Sequence, residues 1–296
     1  MTRSRRIALA LPVALLVVAG AATAQRFGGR RMPPAPISED RKGVPDWKVD
    51  EKFKDDVFTF VRIEYDDDFG QYGGGGFGGR RGGGRGGWGG KWRTDFPDSD
   101  LNFSYRLQQL TSLKVNPEPI TMRLTDGRLY DYPFLYLIEP GALSFSEEEV
   151  VALRRYLSNG GFLMVDDFWG DMEYENFRRQ IRRVYDRDPE ELPLDHPIFH
   201  CVYDLKEKPQ VPSIDAALDG RAEGITYESH HYGNVKDVHY RGLHDDKGRL
   251  VAIVCHNTDL GDGWEREGED PWYFKEFAEK KAYPLGINIV TYAMTH

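Results

Sequence analysis

Apolar runs recur along most of the chain and predict strands. Residues 57–63 form a β-branched and aromatic run that is typical of a strand. Residues 120–124 predict a second strand. Residues 134–138 and 162–165 are continuous apolar runs, as expected of strands buried on both faces. A late run at residues 250–255 predicts a fifth strand.

Helical patterns lie between these runs. Asp98 or Ser99 is expected to cap a helix that continues to position 110. Ser146 and Glu149 have the spacing of a capping box, and Gly160 is expected to end the helix that this box opens.

Two further helices complete the pattern. One is basic and amphipathic and includes residues 177–184, and the other covers residues 273–294, bent around Pro284 and Gly286. Strands that alternate with helices of this length favour an α/β fold. The sequence therefore predicts a three-layer sandwich with a mostly parallel central sheet.

The first residues have the pattern of a signal peptide. Three arginines precede an apolar run at residues 7–20, and small residues follow at 22–24. The apolar run is shorter than the ~20 residues that a membrane span needs. The sequence therefore predicts cleavage after Ala24, no transmembrane span in the mature chain, and a periplasmic or secreted protein. Adjacent Arg5 and Arg6 leave the twin-arginine route open beside the general secretory route.

Two further segments differ in composition from the rest. Residues 25–55 are rich in proline and charge and predict a flexible N-terminal arm, and residues 56–296 predict a single α/β domain. That domain carries a Gly/Arg-rich insertion at residues 70–90. Glycine at this density does not fix one backbone conformation, so we expect the insertion to be disordered.

Charge and cysteine content narrow the function. The chain has 48 Asp and Glu against 39 Lys and Arg, which argues against nucleic acid as a partner. Two cysteines are too few for a four-thiolate zinc site. Outside the cytoplasm Cys201 and Cys255 meet oxidising conditions, but the sequence leaves open whether they form a disulfide.

Polar and aromatic residues follow the predicted strands. The carboxyl ends of parallel strands meet at one edge of a sheet, where α/β proteins bind ligands. Crowded carboxylates at that edge would retain a proton or attract a cation, although Asp and Asn also cap helices and form turns. Tryptophans there could stack on sugars or fill space under loops. The candidate ligand-binding residues are Asp95, Glu139, Asp166, Asp167, His196, Asn257, Asp259, Trp92 and Trp169.

Motifs for other chemistry are missing. The histidines, among them His230 and His231, do not have a zinc-binding spacing, so the sequence predicts no metal site and no cofactor. Neither cysteine lies between the small residues that a nucleophile elbow needs, and the central strand ends in Asp166 and Asp167 instead. The sequence therefore favours a protein that is not an enzyme.

Several stretches together resemble a bacterial domain-of-unknown-function family, number 4159. The matching stretches are residues 60–65, 92–102, 132–136, 153–167, 195–199, 257–265 and 285–288. The resemblance covers about residues 57–296. It implies a flavodoxin-like fold similar to that of class I glutamine amidotransferases, and a place at the bacterial envelope. The chain lacks the catalytic cysteine of those enzymes, so no glutaminase activity is implied.

Three functional hypotheses follow. The first, which we favour, is an exported binding module whose acidic, aromatic edge holds a small polar ligand or an envelope partner. The second is a hydrolase of glycans or other envelope material that uses two carboxylates about 5–10 Å apart. The third is a purely structural envelope module.

Overall fold

The structure, a computed structural model, describes residues 41, 43–54, 56–67 and 90–296. The predicted signal peptide at residues 1–24 lies outside the described residues, and its cleavage remains a prediction. The same holds for most of the predicted arm and for the Gly/Arg-rich insertion, of which the structure describes Gly90 alone.

The described chain contains nine strands in two sheets. They are β1 (Val61–Glu64), β2 (Asp66–Asp67), β3 (Ile120–Arg123), β4 (Phe134–Ile138), β5 (Leu143–Ser144), β6 (Phe162–Asp166), β7 (Glu190–Glu191), β8 (His239–His244) and β9 (Leu250–His256). The main sheet has the order β3-β1-β4-β6-β9-β8-β7, and β2 pairs with β5 in a small ribbon.

The main sheet confirms the predicted, mostly parallel arrangement. Strands β3, β1, β4, β6 and β9 are parallel, and they correspond to the five predicted strands. β8 and β7 extend the sheet in antiparallel orientation, and the sequence pattern did not predict them. β1 begins at Val61, four residues later than predicted, because Phe58 forms an isolated bridge to Val115.

Helices connect these strands. They are α1 (Asp98–Leu110), α2 (Glu147–Ser158), α3 (Gly170–Val184), α4 (Ile214–Asp219), α5 (Leu260–Glu265), α6 (Pro271–Tyr273) and α7 (Tyr283–Thr295). A π-helical segment, Phe274–Ala282, joins α6 to α7. Short 3₁₀ helices occur at Glu51–Phe53, Lys91–Arg93, Gly127–Asp131, Pro140–Ala142 and Pro197–Phe199.

The helix ends confirm one prediction and correct two. The capping box between Ser146 and Glu149 is present at the start of α2. The residue that caps α1 is Pro97, not Asp98 or Ser99, and it makes no side-chain cap. The terminal helix is irregular before Pro284 rather than around it, because a proline without an N–H fits the first turn of α7 and disturbs the turns that precede it.

Apolar side chains form one core on each face of the main sheet. Along β4, Phe134 and Tyr136 belong to one core, whereas Leu135 and Leu137 belong to the other. Both faces are therefore covered, as the continuous apolar run predicts. This α/β arrangement is consistent with three layers.

Part of the predicted arm lies against the domain. Trp47 packs against the core and donates its indole N–H to the carbonyl of Val115 at 2.7 Å. Cys201 and Cys255 are free thiols, the first exposed and the second buried. Within the described part of the chain, no helix combines the length and the apolar character that a membrane span requires.

Candidate functional site

The carboxyl edge of the main sheet carries an unusual backbone conformation. Among the described residues, the non-glycine residues with positive φ are Asp95 (61°), Glu139 (49°), Asp167 (54°) and Asn257 (60°). All four belong to the predicted set. Asp and Asn tolerate this left-handed region better than most residues, but a Glu there is uncommon. Each such residue costs on the order of 1 kcal/mol or more, so the rest of the fold must hold these turns in place.

Three of the predicted acids meet at this edge. Asp95, Asp167 and Asp259 each contribute one oxygen to a group whose members lie within 4.8 Å of one another. We call these three residues the acid cluster. Asp167 and Asp259 are buried, with 8% and 5% of their surface exposed, and Asp95 is half-buried. Three chain segments that are distant in sequence therefore bring carboxylates to one small volume.

Burial and mutual repulsion both act on the acid cluster. Burial raises the pKa of Asp167 well above its usual range, and the charges of Glu139 and Asp95 raise it further. The pKa of Asp259 is raised by burial and then by Asp167. Burial likewise raises the pKa of Asp95, and the charges of Asp262 and Glu265 raise it further. Two interactions act against this rise: Asp259 Oδ1 accepts a hydrogen bond from the N–H of Asp262 at 2.7 Å, and the charge of Arg62 lowers the pKa of Asp95.

Asp95 also lies close to a second pair of acidic residues. Oxygens of Asp95, Asp262 and Glu265 also lie within 4.8 Å of one another. Here Arg266 supplies positive charge, since its Nε lies 2.6 Å from Glu265 and 3.2 Å from Asp262. Asp95 Oδ2 is buried and has no hydrogen-bond partner among the described residues.

A buried arginine positions the turn that carries Asp95. Arg62 on β1 is fully buried and forms an ion pair with Asp100 on α1. It also donates to the carbonyls of Trp92 at 3.1 Å and Thr94 at 2.7 Å. Arg62 therefore ties the turn before Asp95 to the sheet and to α1. This role was not predicted from the sequence, although an arginine inside an apolar strand is a signal of a buried ion pair.

Asp166 has an internal role rather than a place in the acid cluster. Its Oδ2 accepts hydrogen bonds from the Tyr136 hydroxyl at 3.0 Å and from the backbone N–H groups of Leu260 and Gly261, both at 3.1 Å. Burial raises its pKa to about 7, against these three donors, which favour the ionised form. Asp166 therefore holds the start of α5 against β6.

Asn257 and Glu139 are also engaged locally. The Asn257 side chain accepts from the N–H of Gly170 at 2.8 Å and donates to the carbonyls of Asn234 and Asp237 at 2.9 and 2.7 Å. Glu139 forms an ion pair with Lys91 and accepts a hydrogen bond from Thr94 at 2.8 Å. Both residues lie at the predicted edge, but they join neighbouring loops together.

The aromatic candidates do not form an open platform. Trp169 is 1% exposed and Trp264 is fully buried, which supports space-filling rather than sugar stacking at these two positions. Trp92 is half-buried and packs against Phe96, with ring centroids 6.3 Å apart.

His196 lies at the opposite edge of the sheet. It accepts a hydrogen bond from the N–H of Ile198 at 3.2 Å, and its ring lies 5.5 Å from that of Tyr292. Tyr292 in turn contacts Phe162, the first residue of β6. His196 therefore does not join the acid cluster, because the 3₁₀ helix that follows it packs at the amino ends of the strands.

Comparison with known proteins identifies a family. The model of the family described as Domain of unknown function (DUF4159) matches residues 80–294, which is more than half of the chain. A search of curated proteins found no match. This chain therefore belongs to the DUF4159 family.

Proposed function

We propose that this protein is a binding module whose acid cluster holds a divalent cation of the calcium or magnesium type. The observation that carries the proposal is the convergence of Asp95, Asp167 and Asp259, with one oxygen from each within 4.8 Å of the others. The sequence predicts no metal site, because its histidines do not have a zinc-binding spacing. A site built from carboxylates on separate turns leaves no such local spacing.

The separation of the oxygens fits a shared cation. Calcium binds oxygens at 2.3–2.6 Å, so two ligands on opposite sides of the ion lie about 4.6–5.2 Å apart and adjacent ligands lie closer. For magnesium the corresponding separation is about 4.0–4.2 Å. The upper limit of 4.8 Å falls within the range for opposite calcium ligands and exceeds the separation in a magnesium site, so the spacing suits calcium better.

Charge and burial support the same assignment. Three carboxylates in a mostly buried volume repel one another, and burial raises the pKa of each of them. A divalent cation would offset both the repulsion and the lost hydration. The buried Asp95 Oδ2, which has no hydrogen-bond partner among the described residues, offers a ligand atom.

A bound cation would leave coordination positions for a polar ligand. Calcium takes six to eight oxygens, more than three carboxylates supply when each binds through one oxygen. Asp95 is half-buried, so the site retains a side that faces solvent. We infer that a ligand with its own oxygen donors, such as a carboxylate or a polyol, completes the coordination.

The hydrolase hypothesis finds less support. A carboxylate pair for glycoside hydrolysis needs a separation of about 5–10 Å, and one oxygen of Asp95 lies within 4.8 Å of one oxygen of Asp167, at the short end of that range. Asp166, the last residue of β6, is another candidate acid, but it is fully buried and accepts a hydrogen bond from the Tyr136 hydroxyl. Asp95 and Asp167 therefore suit a shared ion better than acid–base catalysis.

We further infer a flavodoxin-like topology for the domain. Counted in chain order, the five parallel strands have the order 2-1-3-4-5, which is that of flavodoxin-like sheets. In such sheets ligands bind where the strand order reverses, here between β1 and β4. The loop that carries Asp95 and the turn at Glu139 both lie there, since Arg62 of β1 holds the loop and Glu139 follows β4.

We also propose that the protein acts outside the cytoplasm. The support is the basic start, the apolar run at residues 7–20 and the small residues at 22–24. Mass spectrometry of the protein from the host's envelope fraction would test this proposal. We expect a first residue at position 25, and an intact Met1 would contradict it.

Calcium binding to the purified chain tests the main proposal. We expect one Ca²⁺ per chain in calorimetric titration, and a higher unfolding temperature when Ca²⁺ is present. Asp167→Asn should abolish both effects, because asparagine tolerates the left-handed backbone at this position but removes one negative charge. Asp246→Asn is the control, because Asp246 is 82% exposed and pairs with Arg187.

Each result decides the question. Loss of calcium binding in Asp167→Asn but not in Asp246→Asn supports the acid cluster as the site. Failure of the wild-type chain to bind Ca²⁺ or Mg²⁺ overturns the proposal and leaves the structural-module hypothesis. Unchanged affinity in Asp167→Asn would place the cation elsewhere and would also overturn it.

A further inference from the structure

We propose a second metal site, for a zinc-type cation, formed by Glu228, His230 and His231. We call these three residues the histidine cluster. Its ligand atoms, one from each residue, lie within 4.8 Å of one another. Two imidazoles and one carboxylate form a donor set that zinc and similar transition metals prefer, whereas calcium prefers oxygens alone.

The distances match a tetrahedral ion. Glu228 Oε2 lies 3.5 Å from His230 Nε2 and 3.3 Å from His231 Nε2. Zinc binds nitrogen and oxygen at about 2.0–2.2 Å, so neighbouring ligands of a tetrahedral zinc lie about 3.3–3.5 Å apart. The same distances are long for a charge-assisted hydrogen bond, which has a length of about 2.7–2.9 Å. Each nitrogen is therefore spaced from the carboxylate oxygen as two ligands of one zinc ion would be, and the two nitrogens lie within 4.8 Å of each other.

A second carboxylate, that of Glu173, contacts the other ring nitrogen of His231 and orients the ring. Its Nδ1 lies 3.1 Å from Glu173 Oε1, and Glu173 Oε2 accepts a hydrogen bond from the N–H of Trp169 at 2.9 Å. Histidine ligands of metals commonly donate their other ring N–H to a carboxylate in this way. Glu173 therefore fixes the ring of His231 with Nε2 directed toward Glu228.

Glu228 is anchored by one oxygen and offers the other. Glu228 Oε1 accepts a hydrogen bond from the N–H of Ser213 at 2.8 Å, while Oε2 faces both histidines. The Glu228 side chain is 7% exposed and the His230 side chain is 70% exposed. The cluster therefore has a buried anchor and an open side, which leaves the fourth position of a tetrahedral ion accessible.

The loop that carries the histidines is clamped onto α3. The N–H of Asp171 donates to the carbonyl of Tyr232 at 3.1 Å, and Asp171 Oδ2 accepts from the N–H of Asn234 at 3.0 Å. Gly170 permits this approach, because a Cβ there would lie 2.1 Å from the Tyr232 carbonyl oxygen. Contacts of the neighbouring residues Tyr232 and Asn234 with α3 thus hold the segment that carries His230 and His231.

The histidine cluster is separate in chemistry from the acid cluster. It contains imidazole nitrogens, and its residues come from the segment between α4 and β8.

Titration of the chelator-treated chain with Zn²⁺ tests this proposal, and Co²⁺ serves as a spectroscopic probe. We expect one Zn²⁺ per chain and the intense visible absorption of a four-coordinate Co²⁺. The double variant His230→Ala/His231→Ala should lose both signals. Glu173→Gln should weaken Zn²⁺ binding by about 10–100-fold, the usual effect of losing a carboxylate behind a histidine ligand.

Two controls keep this result distinct from the calcium test. His200→Ala should bind Zn²⁺ as the wild type does, because His200 instead pairs with Asp204 at 2.7 Å. Asp167→Asn should lose Ca²⁺ binding but retain Zn²⁺ binding. Zinc binding that survives the double histidine variant, or that disappears in Asp167→Asn alone, would overturn the proposal, as would no Zn²⁺ binding by the wild type.

Discussion

Gly261 lies so close to Asp95 that a Cβ at position 261 would lie 2.8 Å from Asp95 Oδ2. The same Cβ would lie 3.0 Å from the Tyr136 hydroxyl oxygen. The absence of a side chain at the start of α5 thus leaves the space that the Asp95 carboxylate occupies. The acid cluster depends on this glycine as much as on its charges.

Replacing this glycine should disturb the cation site. We expect Gly261→Ala to displace the Asp95 carboxylate and to weaken calcium binding about tenfold or more, with a loss of stability of about 1–3 kcal/mol from overpacking. Calorimetric titration and denaturant unfolding measure the two effects. Gly127→Ala is the matched control, because a Cβ there meets nothing within 4 Å. Equal calcium affinity in the two variants would contradict the account.

The ion pair between Arg62 and Asp100 should be essential for stability. Both side chains are 0% exposed, so Arg62→Met leaves the Asp100 carboxylate buried without its partner. We expect a loss of about 3–5 kcal/mol in the free energy of unfolding. Arg128→Ala should cost far less, because Arg128 is 65% exposed and water screens its ion pair with Asp126. Urea unfolding of both variants measures this difference. Similar losses of unfolding free energy would show that the buried pair is not essential for stability.

Replacement of Asn257 by aspartate should destabilise the fold. Its amide group donates to the carbonyls of Asn234 and Asp237, so Asn257→Asp would place a negative charge against two acceptors. We expect this variant to lose about 3 kcal/mol or more of unfolding free energy. Asn159→Asp, which removes an exposed bond to Arg155, should lose less than about 1 kcal/mol. Thermal unfolding would decide, and comparable stability of the two variants would refute the role given to Asn257.

His256 should make the fold sensitive to acid. Its Nδ1 faces Arg241 at 3.1 Å and its Nε2 faces the carbonyl of Gly170 at 3.0 Å, so the ring is neutral. Burial, with Arg241 and His239, lowers its pKa from 6.5 to about 4, although Glu173 and the Gly170 carbonyl act in the opposite direction. Between these values the unfolded chain binds more protons than the folded chain, so stability falls as the pH decreases.

The His256 contribution can be isolated with a variant that does not titrate. We expect the wild type to lose about 3 kcal/mol more than His256→Gln between pH 6.5 and pH 4. Asp166 acts in the opposite direction, since its pKa is raised to about 7, but it is present in both proteins. Unfolding free energies measured across this pH range provide the test. Parallel curves for the two proteins would show that His256 is not the sensor.

The sequence predicted the sheet and part of the site for related reasons. Buried parallel strands are continuous apolar runs, and their carboxyl ends share one edge. Asp167 and Asp259 lie one and three residues after the ends of β6 and β9, and they were therefore expected to lie close together. Both lie near Asp95 in the structure, and their role in binding a ligand stays a prediction.

The remaining features depend on contacts that no local pattern records. Asp166 and Asp167 are adjacent and chemically identical, and only the fold directs the first toward Tyr136 and the second toward the cluster. The loop between α4 and β8 has no periodicity, so its approach to α3 at Gly170 was not predictable. Glu228 was missed for the same reason.

Anomalous scattering from crystals grown with Mn²⁺ is the most direct test of the proposed cation site. Manganese prefers oxygen ligands, as calcium and magnesium do, and an anomalous peak locates it without assumptions about ligand geometry. We expect one peak within about 2.5 Å of oxygens from Asp95, Asp167 and Asp259. A map with no peak among these three side chains, at a concentration that saturates any binding seen in solution, would contradict the account.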